Sequence, residues 1–447
     1  MPTMPRMFTL SRYAVYLVAF FLLFLSYWIN RFFGRPDLNQ ILYHVNIGLE
    51  GIKATDPVFI RRFVRWCVLV PLLLLLVTVL TERARWFKAL RVPVNKTGFK
   101  VRAPALFLAS LPVTMLLGAA GLWAYQVSAY SYFAANFGMD YFSANYVPPM
   151  LVQITDEHPK NLILVYVESL EQAYTQTPLF GRDLLAPLKR SDAVGFSRFD
   201  QAPGTGWTIA GMVGTQCGIP LKRVSVFDEN TQGEVLTSFL PNAVCLSDLL
   251  AQRGYRNVFM GGGSTAFAGK DKFLHDHHYQ EAYGKEDWLG AGVQEGAMNA
   301  WGLYDGDLFA RAKTRLRALH ASHQRFNLTI LTVNTHEPEG HLSQRCGEQG
   351  YAGFEGVVQC TASDLGQFLD FVKTSGYLAD TNVVVMGDHL ARKNPVYDKL
   401  SEVPERTIFN LFVSSDLPRK NTDQIVHFDM LPTILDFRVF FLAWCRV

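Results

Sequence analysis

The soluble part of this 447-residue chain has no polybasic tract, and the net charge of the whole chain is only +3. Proteins that bind nucleic acid through phosphate contacts need a concentrated basic surface, so this composition argues against a nucleic-acid partner. The GGGS sequence at 261–264 lacks the Lys-Ser/Thr ending of a Walker motif, which argues against a nucleotide-binding loop. The chain also has no internal repeat and no low-complexity segment.

Charge is almost absent from three segments, 13–28, 67–80 and 104–124, which are rich in Leu, Val, Phe and Ala. A membrane-spanning helix needs about 20 mostly apolar residues, so three spans are predicted. The first segment has no small-residue cleavage site and continues into WINRFFGR, so we interpret it as an anchor instead of a signal peptide. The predicted organisation is a membrane domain over 1–125, a linker over 126–158, a soluble domain over 159–437 and a tail over 438–447.

The basic residues predict the orientation in the membrane. TERARWFKALRVPVNKTGFKVRA, at 81–103, has seven Lys or Arg and one acid, which is typical of a cytoplasmic loop. The N-terminus, with Arg6 and Arg12 and no acid, is then cytoplasmic too, and three spans place the soluble domain outside the cytoplasm. Three arginines in the first loop argue mildly against this topology: Arg61, Arg62 and Arg65.

The soluble domain contains an even number of cysteines, which suits an oxidising compartment. They are Cys217, Cys245, Cys346 and Cys360. Of the three possible connectivities we favour Cys217 with Cys245 and Cys346 with Cys360, because each pair encloses a local loop. Four buried free thiols are the alternative.

Short β-branched apolar runs alternate with helix-like stretches in the soluble domain. The runs are NLILVYVE, YRNVFMGG, FNLTILTVN and TNVVVMGDH. Helices are predicted over 245–253, ending at Gly254, and over 361–375, ending at Gly376. This alternation predicts an α/β fold with a doubly wound sheet.

Polar residues follow several of these strands. Ligands of doubly wound sheets bind at the carboxyl ends of the strands, so these residues are expected to converge. A helix beginning near Thr205 would bring a hydroxyl to the same edge. Carboxylates and imidazole can hold a divalent cation, and a cation together with a helix N-terminus favours the ionised form of the hydroxyl. The strand-end residues are Glu168, Asn334, Thr335, His336, Asp388 and His389.

Each of these residues also has a plainer interpretation. Thr205 alone is better explained as a helix N-cap. If Thr205 is instead the nucleophile, Thr208 one helical turn further on is structural. His336 is either a proton donor to a phosphate or leaving group or a surface-loop histidine. Lys270 and Asp271 either clamp a phosphate oxygen or form a solvated charge pair. The HDHH cluster at 275–278 is predicted to lie on the surface.

Taken together, the motifs resemble those of the sulfatase-like membrane phosphoglycerol transferases of the alkaline phosphatase superfamily. The resemblance is closer to the transferases of osmoregulated periplasmic glucan synthesis and more distant to the lipoteichoic acid synthases. The resemblance covers about 160–435 and a loop near residue 40. Its motifs are NLILVYVESLEQAY, PGTGWTIAGMVGTQCGIPL, FAGKDKF, WGLYD, TVNTHEPEG, VVVMGDHLA and NQILYHVNIGLEGI.

The resemblance implies site residues, a cofactor and partners. Glu168, Asp388 and His389 correspond to metal ligands, with Thr205 as the nucleophile that also contacts the metal. His336 and Lys270 correspond to substrate contacts. The implied metal is manganese or magnesium, with zinc possible. The implied reaction moves glycerophosphate from phosphatidylglycerol, through a threonine-linked intermediate, to a glycan hydroxyl at the periplasmic face of a bacterial inner membrane.

Two departures from the family pattern change these expectations. GGGSTAFAGKD lacks the histidine, aspartate and tryptophan of the glycerol pocket in lipoteichoic acid synthases, which favours transfer of a single unit over polymerisation. The tail at 438–447 is unlike the C-terminal sequence of the family.

Cys217 is followed by Gly-Ile-Pro-Leu and not by the Pro-x-Arg context of a formylglycine sulfatase. Phosphoethanolamine transfer and an inactive membrane scaffold remain the alternatives.

Overall fold

The computed structural model describes 6–34, 36, 38, 41–42, 57–83, 103–137, 146–151, 154–155, 159–221, 238–417, 423–439 and 441–442. The chain divides into two compact units. One comprises Met1–Leu38 and Asp56–Gly138, and the other comprises Asn39–Thr55 and Met139–Val447. Nearly all of the predicted cytoplasmic loop, most of the NQILYHVNIGLEGI segment and most of the 438–447 tail lie outside the described residues. The borders of the linker and the tail remain predictions.

Helices make up the described part of the first unit. Among these residues, Ser11–Phe33 and Pro57–Thr81 are each long and apolar enough to cross a membrane, judged by length and composition. Leucines such as Leu73 and Leu76 point outward, which is the pattern of a helix that faces lipid. The third predicted span falls on a further helix, and the number of crossings remains a prediction. The helices are Arg6–Phe33, Pro57–Phe63, Val70–Arg83, Ala103–Gln126 and Ala129–Phe137, with a π-helix at Val64–Leu69.

A mixed sheet forms the centre of the second unit. Within the described residues it has seven strands in the order β3-β9-β8-β2-β7-β5-β6, and only β3 and β9 pair antiparallel with their neighbours. The chain therefore crosses from β2 to both sides of the sheet, as a doubly wound α/β fold requires. These strands are β2 (Asn161–Val167), β3 (Ala193–Val194), β5 (Arg256–Gly261), β6 (Glu281–Tyr283), β7 (Phe326–Leu331), β8 (Thr381–Gly387) and β9 (Asn410–Val413).

Two small strand pairs accompany this sheet. β1 (Ile154–Thr155) pairs antiparallel with β11 (Phe441–Leu442), and β4 (Arg198–Asp200) pairs parallel with β10 (Gln424–Val426). The helices of this unit are Thr177–Phe180, Thr208–Cys217, Leu246–Ala251, Lys270–Asp276, Lys285–Gly290, Asp305–Ala321, Gln344–Glu348, Gly353–Thr374, Tyr397–Ser401 and Met430–Ile434.

Both faces of the sheet are buried, as its nearly continuous apolar strands predict. Alternate residues of β2 belong to different cores: Ile163 and Val165 pack in one, and Leu164 and Tyr166 in the other. Helix Gly353–Thr374 covers the first core, and helix Thr208–Cys217 the second. Helices on both faces confirm the predicted α/β class.

The four predicted strands coincide with β2, β5, β7 and β8 to within three residues at each end. The helix predicted over 361–375 begins earlier, at Gly353, because Phe354, Val357 and Val358 continue its buried face. Gly254 and Gly376 adopt positive φ angles of 78° and 77°, which fits their predicted place after helix ends.

Two disulfides confirm the favoured pairing of the cysteines. Cys217 is joined to Cys245 and Cys346 to Cys360, across 28 and 14 residues of sequence. The first ties helix Thr208–Cys217 to the start of helix Leu246–Ala251. The alternative of four free thiols is therefore wrong.

Candidate active site

Three neighbouring strands end at one group of polar side chains. Glu168 follows β2, the central strand, and Asp388 and His389 follow β8 beside it. On the other side, the segment after β7 is held against Glu168. The backbone N–H of Glu168 donates to Thr332 Oγ1 at 3.0 Å, and Thr335 Oγ1 donates to the Glu168 carbonyl oxygen at 2.5 Å. The predicted convergence at this sheet edge is therefore present.

Glu168, Asp388 and His389 form a compact buried cluster. His389 Nε2 lies 3.4 Å from Glu168 Oε1 and 3.5 Å from Asp388 Oδ2. One ligand atom from each residue lies within 4.8 Å of the other two. His389 Nδ1 donates to the Leu390 carbonyl oxygen at 2.9 Å, so Nε2 is the nitrogen that faces the carboxylates. A partner on the distal nitrogen is the usual way in which a metal-ligating histidine is oriented.

The electrostatics of this cluster favour a bound cation. Burial, followed by the nearby charge of Asp388, raises the pKa of Glu168, and burial raises the pKa of Asp388 to about 6. Burial also lowers the pKa of His389, which favours the neutral imidazole that a metal needs. Asp388 Oδ2 is buried without a hydrogen-bond partner in the described part of the chain. Two carboxylate oxygens, one of which is the unpartnered Asp388 Oδ2, and one imidazole nitrogen fit a divalent cation.

The hydroxyl beside this cluster belongs to Thr208. Helix Thr208–Cys217 begins at that residue after an extended Trp207, and Thr208 Oγ1 donates to Glu168 Oε2 at 3.3 Å. Gly211, one turn later, permits this approach, because a Cβ atom there would lie 2.1 Å from the Asp388 carbonyl oxygen. The hydroxyl thus occupies a helix N-terminus at the acid cluster.

Thr205 lies elsewhere, so the predicted position of its hydroxyl at the metal ligands is wrong. Its Oγ1 donates to the Ala202 carbonyl oxygen at 2.7 Å and lies 3.2 Å from His427 Nδ1. It does not cap the helix either, since Trp207 occupies the N-cap position. The Pro-Gly turn directs Thr205 inward, where its methyl group packs against Gly214. Thr208, which was expected to be structural, is the threonine whose hydroxyl contacts Glu168.

His336 lies on the other side of the cluster. Its Nδ1 donates to the Glu337 carbonyl oxygen at 2.8 Å, and its ring packs on Trp301 with centroids 4.1 Å apart. Burial alone would lower the pKa of His336, but the carboxylates of Glu337 and Glu168 outweigh it and raise that pKa. His336, Glu168 and Glu337 also place ligand atoms within 4.8 Å of one another. The histidine is therefore a partly buried, charge-stabilised group and not a free surface side chain.

A cavity adjoins these side chains, and Lys270 contributes to its wall. The cavity is lined by, among others, Glu168, Thr208, Lys270, Trp301 and His336. The Lys270 ammonium donates to the Phe267 carbonyl oxygen at 2.7 Å, and burial lowers the pKa of Lys270 to about 8. Among the described residues, Asp271 does not line the cavity, so the structure places only the lysine of the predicted phosphate clamp there.

The histidine cluster at 275–278 is not uniformly exposed. His277 is buried and hydrogen-bonds through Nδ1 to Asp248 Oδ2 at 2.8 Å, whereas His275 is largely exposed. The surface prediction is wrong for His277, because the short helix Lys270–Asp276 ends just before it and turns its ring inward.

Residues 160–437 match the sequence model of the sulfatase family. The match covers more than half of the chain. This chain belongs to the sulfatase family.

Curated relatives of this sulfatase-family chain include proteins named phosphoglycerol transferase I. The protein from Salmonella typhi is 37% identical over 278 residues, which is 60% of this chain and 36% of the relative. The one from Escherichia coli strain 55989 is 36% identical over 291 residues, 63% of this chain and 37% of the relative. The chain thus spans little more than a third of the length of these relatives.

Comparison with solved structures also gave matches to the sulfatase-family chain. A protein of the alkaline phosphatase superfamily from Vibrio parahaemolyticus is 25% identical, with a TM-score of 0.49 and coverage of 67% of this chain and 73% of that one. A lipoteichoic acid synthase from Listeria monocytogenes is 17% identical, with a TM-score of 0.49 and coverage of 65% and 76%.

Sequence reasoning about this sulfatase-family domain assigned Thr208 a structural role and did not place its hydroxyl at the acid cluster, although a signal for that position was present. Small residues recur in the helix as Gly211 and Gly214, and both contact the structure behind the site. Gly211 marks the point where the helix approaches the end of β8, and Thr208 lies one turn before it. The closely packed Gly211 was thus the signal in the sequence for a hydroxyl at the acid cluster one turn earlier.

Proposed function

We propose that this chain transfers glycerophosphate from phosphatidylglycerol to an acceptor hydroxyl of an envelope glycan, with Thr208 in the role that the family resemblance implied for Thr205. The covalent intermediate is then glycerophosphate on Thr208. The membrane is a bacterial inner membrane, crossed several times, and the sulfatase-family domain faces the periplasm. This assignment draws on the family, on the names of the curated relatives and on the site.

One observation carries the proposal. The Thr208 hydroxyl lies at a helix N-terminus, 3.3 Å from Glu168 Oε2, and lines a cavity that also contains Lys270 and His336. A threonine hydroxyl is a poor nucleophile until neighbouring groups favour its ionisation, and a phosphate needs positive charge around it. The carboxylates favour ionisation of the hydroxyl, and the lysine, histidine and helix N-terminus supply positive charge around the phosphate.

The chain's own residues can account for each proton and bond. Thr208 bonds to phosphorus while its proton leaves toward the Glu168 carboxylate, and the bond from phosphorus to the diacylglycerol oxygen breaks. His336 gives its Nε2 proton to that leaving oxygen. In the second half, the acceptor hydroxyl gives its proton back to His336 and bonds to phosphorus. Thr208 then leaves and regains its proton.

Glu168, Asp388, His389 and the Thr208 hydroxyl would hold the divalent cation, which we propose to be manganese or magnesium, or alternatively zinc. When bound, this cation supplies Lewis-acid chemistry that favours the ionised hydroxyl and offsets phosphate charge.

The same residues give less support to the two alternative functions, an inactive scaffold and phosphoethanolamine transfer. An inactive scaffold does not need two buried carboxylates with raised pKa values beside a hydroxyl, because such groups destabilise a fold unless something binds them. A phosphoethanolamine donor would bring an ammonium group toward Lys270, which is buried in the cavity wall. Like charges in a buried site repel, so an uncharged headgroup is the better match.

The test compares the two threonines. Thr208→Ala is expected to fold and to lose transfer from headgroup-labelled phosphatidylglycerol by about 1000-fold or more, since the nucleophile is removed. Thr205→Ala is the matched control. It removes a buried hydroxyl that bonds within its own turn, so it should cost about 1 kcal/mol of stability and little activity in the folded protein.

Mass spectrometry of trapped protein locates the intermediate. The label is expected on Thr208 and should be absent from the Thr208→Ala variant. Label on Thr205, or full activity in Thr208→Ala, would overturn the assignment of the nucleophile. Label that transfers only from phosphatidylethanolamine would instead overturn the choice of donor.

A further inference from the structure

Ser264 is a buried cavity residue that the proposed reaction does not yet use. It follows the two glycines after β5, is 5% exposed, and lines the cavity with Thr208, Lys270 and His336. Its Oγ has no hydrogen-bond partner among the residues that the structure describes. Leaving a buried hydroxyl unpaired costs free energy, so such a group in a cavity wall indicates a partner that arrives with the ligand.

The backbone around Ser264 is fixed by close packing. Gly302 and Gly284 both pack against the turn that precedes Ser264. A Cβ atom added to Gly302 would lie 2.0 Å from the Gly262 carbonyl oxygen, and one added to Gly284 would lie 2.9 Å from the Gly263 carbonyl oxygen. Leu303 N donates to the Gly262 carbonyl oxygen at 2.9 Å. The hydroxyl is therefore presented by a rigid turn, which is what a selective contact needs.

The groups around Ser264 divide the cavity by chemistry. Lys270, His336 and the helix N-terminus at Thr208 are suited to a phosphate. Phe267 and Trp301, whose ring centroids are 5.3 Å apart, supply an apolar wall. Ser264 adds an uncharged donor and acceptor of hydrogen bonds. An uncharged hydroxyl on the organic side of a phosphate ester matches this combination.

We propose that Ser264 is a specificity-determining residue whose Oγ hydrogen-bonds to a hydroxyl of the phosphate ester's headgroup. This inference rests on the proposed function for the identity of the headgroup, which is glycerol. The contact discriminates a hydroxyl-bearing headgroup from an alkyl headgroup of the same size. The same glycerophosphate group occurs in a membrane lipid and in a soluble ester, so both sources enter the test.

The test measures binding, which does not require turnover. The full chain, with its divalent cation, is titrated calorimetrically with glycerol phosphate and with propyl phosphate, which has the phosphate and the carbon chain but no free hydroxyl. The unaltered chain is expected to bind glycerol phosphate about tenfold more tightly, as one neutral hydrogen bond allows. Ser264→Ala should bind glycerol phosphate and propyl phosphate with affinities that differ by no more than about twofold.

A matched control exists in Ser247, in helix Leu246–Ala251. Its Oγ is also buried without a hydrogen-bond partner in the described residues, and it does not line the cavity. Ser247→Ala removes the same atom from the same kind of environment and should keep the tenfold preference. If Ser264→Ala fails to fold, Ser264→Cys gives the same comparison with a group of similar shape and weak hydrogen bonding.

The outcomes separate this inference from the proposed function. A tenfold preference that survives in Ser264→Ala, or no preference in the unaltered chain, overturns the role of Ser264. If the preference is lost only in Ser264→Ala, the role of Ser264 is supported. This holds even if no transfer from phosphatidylglycerol is found, and that second result would overturn only the proposed function. Repeating the comparison with glycerol-headed and propyl-headed phospholipids in mixed micelles assigns the site to a lipid if the preference persists there, and to a soluble ester if it does not.

Discussion

Asp305 shows how a single buried carboxylate organises the segment that bears His336. It begins helix Asp305–Ala321, and its Oδ1 accepts hydrogen bonds from the backbone N–H groups of Val333 at 2.9 Å and Asn334 at 3.1 Å. Thr361 Oγ1 is 2.8 Å from its other oxygen. The side chain is fully buried, and burial raises the pKa of Asp305 to about 7 despite these hydrogen bonds.

This raised pKa predicts a pH dependence of stability. Between about pH 4 and pH 7 the folded chain keeps a proton on Asp305 that the unfolded chain has released. The stability that this group contributes therefore falls as pH rises through that window, by up to about 1.4 kcal/mol per unit. Asp305→Asn keeps an acceptor for both N–H groups and cannot ionise. The stability of this variant relative to that of the unaltered chain should therefore increase from pH 5 to pH 7.

Urea unfolding of both proteins at pH 5 and pH 7 checks this prediction. A difference in unfolding free energy that does not change with pH would show that Asp305 stays ionised throughout, its charge held by the two backbone donors.

Among the secondary-structure elements, those with strong local patterns were predictable and the short ones were not. β2 and β8 are unbroken apolar runs, buried on both faces, and their ends place Glu168 and Asp388. β3 and β10 contain two and three residues and form only through pairing with distant strands, so no local pattern marks them. The start of helix Thr208–Cys217 is a similar case. It lies against the end of β8, a long-range contact for which Gly211 is the local sign in the sequence.

The close contact of this helix with the end of β8 gives a prediction. Gly211→Ala would put a Cβ atom 2.1 Å from the Asp388 backbone oxygen, so the helix must move away from the strand end. We expect a loss of about 2 kcal/mol or more in stability, from strain of the kind seen in overpacked cores, and a large loss of transfer, because Thr208 moves with the helix.

Gly290→Ala is the matched control for this substitution. Gly290 ends helix Lys285–Gly290, and a Cβ atom there would meet no other part of the described structure within 4 Å, its own helix backbone and chain neighbours aside, so alanine should leave stability unchanged or slightly raised. Thermal melting and transfer assays of both variants test the contact. Equal effects of the two substitutions would mean that the helix does not depend on its approach to Asp388.

For the whole molecule, the acid cluster links stability to metal binding and pH. Without a cation, the folded chain holds a proton on Asp388 up to about pH 6, where the unfolded chain has already lost it, so the metal-free chain loses stability as pH rises from about 4 to 6. A cation binds the deprotonated carboxylates and the neutral imidazole, so its affinity rises over the same range.

Stabilisation by the metal should therefore grow with pH. At a free cation concentration of 100 times the dissociation constant, the chain should gain about 2.7 kcal/mol over the chelator-treated protein. At pH 5 and the same cation concentration the gain should be smaller, because protonation of Asp388 and Glu168 competes with the cation. Melting temperatures of manganese-loaded and chelator-treated protein at pH 5 and pH 7.5 measure both gains, and elemental analysis counts the bound metal. Asp388→Asn should abolish the difference, since it removes the carboxylate oxygen that has no other partner in the described residues. If the shift is equal at the two pH values, or survives in Asp388→Asn, the cation binds somewhere other than at the ends of β2 and β8.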